Sequence, residues 1–261
     1  MIHLICDANR HLYEDTLAQM HRERTEAFVK GRGWTNLEVQ NDLERDAYDN
    51  EDTLYLVGFD PGGGIAVSAR LLPADHGSVL ADCFPHLVSD GPAKGPGVFE
   101  LSRYFAGSSV RGPKGFWLKS RMNLAIVEAV VQRGGKRLVA FTDLHLLNLA
   151  RYTGWKVKPI GVPQAYDEGT AVAVEIACQP SDMEDIREAV QLPDWQLFEA
   201  PGWLPAGTDV HAMAAATNLI VNVPAALRQP AIRGVNRALE KWQPQGDVDA
   251  VLARMGWNKA A

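Results

Sequence analysis

Between Glu38 and Asp60 the chain carries eight carboxylates and one basic residue, Arg45, a local net charge of −7. Clustered carboxylates need water or cations around them. Two assignments stand: a solvated acidic loop, or the wall of a site for a cationic ligand. Trp34 lies just ahead of the cluster, and an aromatic face beside carboxylates suits a small cation that carries a ring. Downstream comes Val98-Phe-Glu-Leu-Ser-Arg-Tyr-Phe105. As a regular strand it points Glu100 and Ser102 to one face, and Leu101 and Arg103 to the other. Glu100, between Phe99 and Leu101, is then either a salt-bridged structural carboxylate or a general base of raised pKa. Arg70 is a natural partner for Glu100 or for an acidic group on a ligand.

Other chemistries are poorly served. The loop Ser108-Ser-Val-Arg-Gly-Pro-Lys-Gly115 precedes a long helical pattern and has the glycine and basic residues of an anion-binding helix start. Gly62–Gly64 lacks the Lys-Ser/Thr of a phosphate loop and reads as a turn. The seven histidines form no HxxxH or HExxH, so no metal site is expected, and there is no GxSxG elbow. Cys6, Cys83 and Cys178 are scattered, as reduced thiols are.

The net charge of −6 argues against nucleic-acid binding. It is also segregated: residues 103–158 hold eleven Lys and Arg against Glu128 and Asp143, a net of +9. An acidic and a basic face point to two partners of opposite sign. The N-terminus has no basic leader, and the apolar stretch Ala212–Val223 is too short to span a bilayer. The expectation is a cytoplasmic protein with no membrane span.

The elements that must position these residues follow from periodicity. Leu17, Met20, Arg24, Ala27 and Phe28 predict a helix over 13–30, with Arg24 and Phe28 one turn apart. Thr53–Phe59 and Ile65–Leu72 predict a hairpin across Asp60-Pro-Gly-Gly-Gly64. Residues 73–97 read as loop. Val98–Phe105 is a strand, Phe116–Arg133 a long helix, Lys136–Thr142 a strand and Leu144–Tyr152 a helix. Trp155–Ile160 and Thr170–Cys178 are strands, and Asp182–Val190 is a short helix. The order predicts an α/β or α+β fold with a mixed sheet. Residues 195–261 hold helical runs near 208–221, 224–242 and 247–255, read as a C-terminal helical extension packed on a first domain of residues 1–194.

Arg24, Phe28, Trp34, Asp46, Asp49, Arg70, Glu100 and Arg103 occur in this order, within Asp46-x-Tyr48-Asp49, Ser68-Ala-Arg-Leu-Leu-Pro73 and Glu100-Leu-Ser-Arg103. Asp82-x-Phe-Pro85, Gly154-Trp155 and Ile160-Gly-Val-Pro163 follow. This constellation resembles the acyl-homoserine-lactone synthases of bacterial quorum sensing, over roughly residues 1–190. The resemblance implies an N-acetyltransferase-like three-layer sandwich with a mixed, splayed central sheet. It implies an acyltransferase that joins S-adenosylmethionine, as co-substrate, to an acyl chain carried on acyl carrier protein or coenzyme A. No permanently bound cofactor is implied.

By the same resemblance, Glu100, Asp46, Asp49 and Arg103 are catalytic, with Glu100 as base. Arg24, Phe28, Trp34, Asp46, Asp49, Arg103 and Phe105 bind S-adenosylmethionine. Arg70, Ser102, Leu101, Met122, Thr142 and Leu146 line an acyl pocket, although core packing explains the apolar ones as well, and Thr142 is equally a solvated or capping residue. Lys114, Lys119 and Arg121 dock the donor. Two other functions fit the residues less fully: a CoA-dependent acetyltransferase acting on another amine, and a non-catalytic sensor of S-adenosylmethionine or acyl chains.

Overall fold

Ile2-His-Leu-Ile5 forms strand β1 (Ile2–Ile5), with all four side chains buried. A strand covered on both faces shows no apolar–polar alternation, so periodicity does not predict it. The computed structural model describes residues 1–233 other than 92, 108–109, 111, 167–168, 193–194, 225–226 and 228, with backbone alone for 112–114 and 149. The expected helical run 247–255, most of the run 224–242, and the side chains of Lys114 and Leu149 lie outside the described residues.

Helix α1 (Glu14–Arg24) continues into one wide turn, Thr25–Lys30, where the Gly31 amide donates to the Glu26 carbonyl at 2.8 Å. A small hairpin follows, β2 (Val39–Gln40) and β3 (Leu43–Glu44). Its two-residue link, Asn41-Asp42, has both φ angles positive, at 52° and 62°. That is a tight-turn conformation that Asn and Asp tolerate. Then come β4 (Leu54–Phe59), β5 (Ile65–Pro73), α2 (Val79–Cys83), β6 (Val98–Ala106), α3 (Gly112–Gln132), β7 (Arg137–Asp143) and α4 (Leu147–Tyr152). The remainder is β8 (Val157–Pro159), β9 (Gln164–Tyr166), β10 (Gly169–Ala177), α5 (Pro180–Val190), β11 (Leu197–Phe198) and α6 (Val210–Val221). The expected loop over 73–97 thus contains a short helix, α2, capped by the Ser78 hydroxyl.

The strands form one mixed sheet in the order β11-β1-β4-β5-β6-β7-β10-β8, with β9 also on β10. β1 and β11 are parallel, as are β6 and β7. On one face, Leu56, Leu71, Leu101 and Leu138 pack with Met122 and Ile126 of α3 and Ile186 of α5. On the other, Tyr55, Val57 and Phe105 pack with Tyr13, Met20, Phe28 and Met213 of α6. This is the three-layer arrangement expected. The chain after 194 begins as a strand of the main sheet, so the extension is not wholly helical. Among the described residues no helix is long and apolar enough to cross a membrane.

Two irregularities in β6 shape the molecule. It pairs with β7 only from Val98 to Glu100, against Arg137 to Val139. Beyond that, no pairing of β6 with β7 is present among the described residues, while β7 stays paired to β10 as far as Asp143. The sheet therefore splays. On its other edge β6 carries a bulge: Ser68 pairs with Phe105 but Arg70 pairs with Ser102, so β6 has one extra residue there. Arg103 lies in the bulge with φ 49°.

Candidate active site

Asp46 and Asp49 leave the small hairpin pointing at the sheet, and three arginines meet them. Arg24, at the end of α1, donates to Asp49 through both terminal nitrogens, at 2.8 and 2.9 Å. Its Nε donates to Glu44 Oε2 at 2.5 Å. Arg70 of β5 forks onto both Asp46 oxygens at 2.6 and 3.1 Å, and its Nε donates to Ser102 Oγ. Arg103 donates to Glu44 Oε1 from Nε and Nη2, and from Nη2 to Asp46 Oδ2 at 3.0 Å. Tyr55 OH and the Asp46 amide complete the shell of Asp49. Three cations thus face three carboxylates. Buried charges persist only when paired and hydrogen-bonded in this way.

The network shifts proton affinities. For Asp49, burial opposes ionisation, but the Arg24 fork and Arg70 hold the carboxyl far below the usual range. For Arg24, burial weakens the cation, and Asp49 and Glu44 more than restore it. His21, whose Nδ1 lies 2.8 Å from the Glu44 carbonyl oxygen, is pushed down to about 4 by burial and by Arg24.

The acidic run is therefore mixed. Asp46 keeps 20% of its side chain exposed while both its oxygens accept from the arginines. Asp49 has no exposed side-chain surface and is held between Arg24 and Arg70. Arg24, 1% exposed, is likewise enclosed. Glu44, a member of the acidic run that the sequence does not single out, is 0% exposed and bridges Arg24 and Arg103. Charge balance was the available signal for it: two aspartates leave one of three strand-and-helix arginines without a counterion. His21, Tyr55 and Ser78 also escaped the sequence reading.

The aromatic residues come together. Phe28 and Trp34 are stacked, with centroids 5.3 Å apart and planes at 12°. Phe105 meets Phe28 edge-on at 6.3 Å, and the Arg103 guanidinium lies over Phe28 at 5.8 Å. The wide turn at Thr25–Lys30 sets Phe28, and the Trp34 amide returns to the Phe28 carbonyl at 3.1 Å.

Arg103 requires a correction. A regular strand sends it to the face opposite Glu100 and Ser102, yet it joins Asp46 and Glu44 on theirs. The bulge at Arg103 breaks the two-residue period. Tyr104 then packs toward α3 and Phe105 toward α1. Without the extra residue, Phe105 would face α3.

Glu100 has a separate setting. It is fully buried and accepts from Ser78 Oγ at 2.7 Å, and its two oxygens share the Leu80 amide at 3.2 Å. Burial raises its pKa, while Ser78, the Leu80 amide and Arg70 pull the other way. Arg70 makes no hydrogen bond to it; its donors go to Asp46 and Ser102.

The residues assigned to an acyl pocket do not share a face. Leu101 and Met122 lie in the core toward α3, and Thr142 pairs with Val172 of that same core. Ser102 and Arg70 lie on the opposite face, and Arg70 belongs to the ion network. Leu146 is half-buried in the turn before α4. Of the donor-docking residues, Lys119 is half-buried. Arg121 is not a free surface cation: it donates to Gln196 Oε1 at 2.6 Å and lies 4.5 Å over the Trp117 ring.

Comparison with known proteins identifies the family. Residues 8–186 match the autoinducer synthase family. The isovaleryl-homoserine lactone synthase of Bradyrhizobium diazoefficiens is 31% identical over 194 residues, 74% of this chain and 87% of that protein. The solved structure of BjaI, a CoA-dependent acyl-homoserine lactone synthase with SAM and isopentyl-CoA, superposes with a TM-score of 0.71 at 29% identity, covering 82% of this chain and 98% of BjaI. TofI, solved in a ternary complex with an inhibitor and MTA, gives 0.62 at 30% identity, over 74% and 97% of the two chains. The chain belongs to the autoinducer synthase family, the acyl-transferring acyl-homoserine-lactone synthases.

Proposed function

We propose that this chain acylates S-adenosylmethionine from an acyl thioester and closes the product to an N-acyl-homoserine lactone, releasing methylthioadenosine. The observation that carries the reading is strand β6. Within six residues it sets a buried carboxylate, Glu100, a bulged cation, Arg103, and an aromatic, Phe105, toward one layer. Among the described residues its backbone past Glu100 is no longer paired with β7.

The roles follow from position in the network and from the bonding capacity each group has left. Phe28, Trp34 and Phe105 offer ring faces to the adenine, and Asp46 offsets the sulfonium charge. Arg103, with 9% of its side chain exposed, is the arginine best placed to meet the substrate carboxylate. Arg24, Arg70, Glu44 and Asp49 fix these groups from behind. Glu100 removes a proton from the substrate ammonium, directly or through a water. The amine then attacks the thioester carbonyl. The C–N bond forms, the C–S bond breaks, and the donor thiolate leaves and takes up the second proton lost by the nitrogen. Amide groups of β6 near Phe105 suit the oxyanion. In the second step the substrate carboxylate attacks the carbon beside the sulfonium, and neutral methylthioadenosine departs with the C–S bonding pair. The acyl chain runs through the opening between β6 and β7, which joins Ser102 on one face to Leu101, Met122 and Thr142 on the other.

Likeness to the CoA-dependent BjaI favours an acyl-CoA donor over acyl carrier protein. The test is incubation with S-adenosylmethionine and a panel of acyl-CoA and acyl-carrier-protein thioesters, with mass spectrometry of the products. Equimolar methylthioadenosine and acyl-homoserine lactone are expected from at least one donor, and no turnover with any donor sinks the reading. Glu100→Gln is expected to lower turnover at least about tenfold, as loss of an aligned general base does, with folding intact.

A further inference from the structure

Ser78 lies outside every motif that carries the family resemblance, in the segment read from sequence as loop. Its hydroxyl has two partners. It accepts from the Ala81 amide at 3.0 Å, which caps α2. It donates its only proton to Glu100 Oε2 at 2.7 Å. Ser78 is 0% exposed, so water does not compete for that proton. The Leu80 amide, shared by both Glu100 oxygens at 3.2 Å, adds a second donor from the same turn.

We infer that Ser78 is a positioning residue for the proposed base, holding Oε2 of Glu100 so that Oε1 faces the substrate amine or its bridging water. This rests on Glu100 acting as the base. Oε2 already accepts from a hydroxyl and an amide, whereas Oε1 accepts only the shared, long amide bond. A carboxylate oxygen accepts two or more hydrogen bonds, so Oε1 keeps the capacity to take a proton. The bond from Ser78 also favours the anion, because it is made to the charged form.

The other charged groups around Glu100 act at longer range. Arg70 of β5 favours its anion and Asp82 of α2 opposes it. β7 presents Val139 opposite Glu100, and its Arg137 is bound to Glu175. On β5 the paired residue is Leu72. Ser78 and Leu80 are therefore the only hydrogen-bond donors to this carboxylate among the described residues.

The experiment measures kcat/KM against pH for wild type and for Ser78→Gly, Ser78→Ala and Ser78→Thr, with Tm for each. Glycine is nearly as good a helix cap as serine, whereas alanine is poor. Gly and Ala thus remove the same donor at different cost to α2. Losing a charge-assisted bond to a buried carboxylate makes the anion harder to form, so the acid limb moves to higher pH. A shift of about one pH unit is expected in both Gly and Ala. Thr, which keeps the hydroxyl, should return the limb to its wild-type position. An unmoved limb in Gly and Ala, or a shift that follows Tm instead of the hydroxyl, overturns the inference. Glu100→Gln, assayed alongside, separates the two readings. If it turns over like wild type, the base assignment itself fails. If it is inactive while the Gly profile is unmoved, only the role of Ser78 fails.

Discussion

Glu44 holds two arginines with one carboxylate, Arg24 on Oε2 and Arg103 on Oε1, at zero exposure. In Glu44→Gln only one of those oxygens remains. The other site becomes an amide that points donors at a guanidinium. A broken buried ion pair leaves an uncompensated charge and costs about 3–5 kcal/mol. Urea unfolding should register a loss of that size, and a change below about 1 kcal/mol would mean the pair is dispensable. The residue illustrates what sequence conceals. Arg24, Asp46, Asp49, Arg70 and Arg103 stand out as polar residues in a recognisable order. Glu44 sits in a two-residue strand inside an acidic run, where composition describes the neighbours and not the one side chain that turns inward.

At the scale of elements, the long helix, the hairpin and the strand around Glu100 are legible because each has a clean period. β1 is not, being buried on both faces. The bulge in β6 is not either, because the residue with positive φ is Arg103 and not glycine. A left-handed residue with a Cβ costs about 1–2 kcal/mol, and the ion pairs of Arg103 with Glu44 and Asp46 offset it.

α3 carries a second hidden device. Glu128, in its middle, is fully buried, bonds Arg187 of α5, and accepts the Gln196 and Leu197 amides that lead into β11. Burial raises its pKa to about 7, against the pull of Arg187 and the two amides. Unfolded, it titrates near the ordinary 4.5. Between these values the folded protein holds a proton that the unfolded chain has released. The stability from this group is full below about 4.5 and is lost as pH rises through about 7. Glu128→Gln cannot titrate. Its stability relative to wild type should therefore improve by roughly 2–3 kcal/mol between pH 5 and pH 8. Parallel pH dependence in the two proteins would show that Glu128 is ionised throughout.

For the whole molecule, the decisive feature is how the chain beyond the matched family region closes on the rest. The family match ends at residue 186. β11 then pairs with β1, and one row of paired residues crosses the sheet: Phe198, His3, Val57, Ser68, Phe105. Phe198, Met213, Val210 and Ile220 share a single apolar cluster with Tyr13, Phe28 and Phe105. His3 is enclosed there, with Phe198 at 5.1 Å and His211 at 5.2 Å between ring centroids. The extension is thus part of the layer that backs the aromatic wall; the sequence suggests packing on the first domain but not the strand β11 that joins the sheet. Phe198 is 0% exposed, so Phe198→Ala empties a filled site and should cost about 3–5 kcal/mol. Leu219, on the same extension but 64% exposed, serves as the control, and Leu219→Ala should stay within about 0.5 kcal/mol of wild type. Denaturant titrations of the two variants decide it. If both are near neutral, the extension does not pack as part of the core. If both are equally costly, burial is not what separates them.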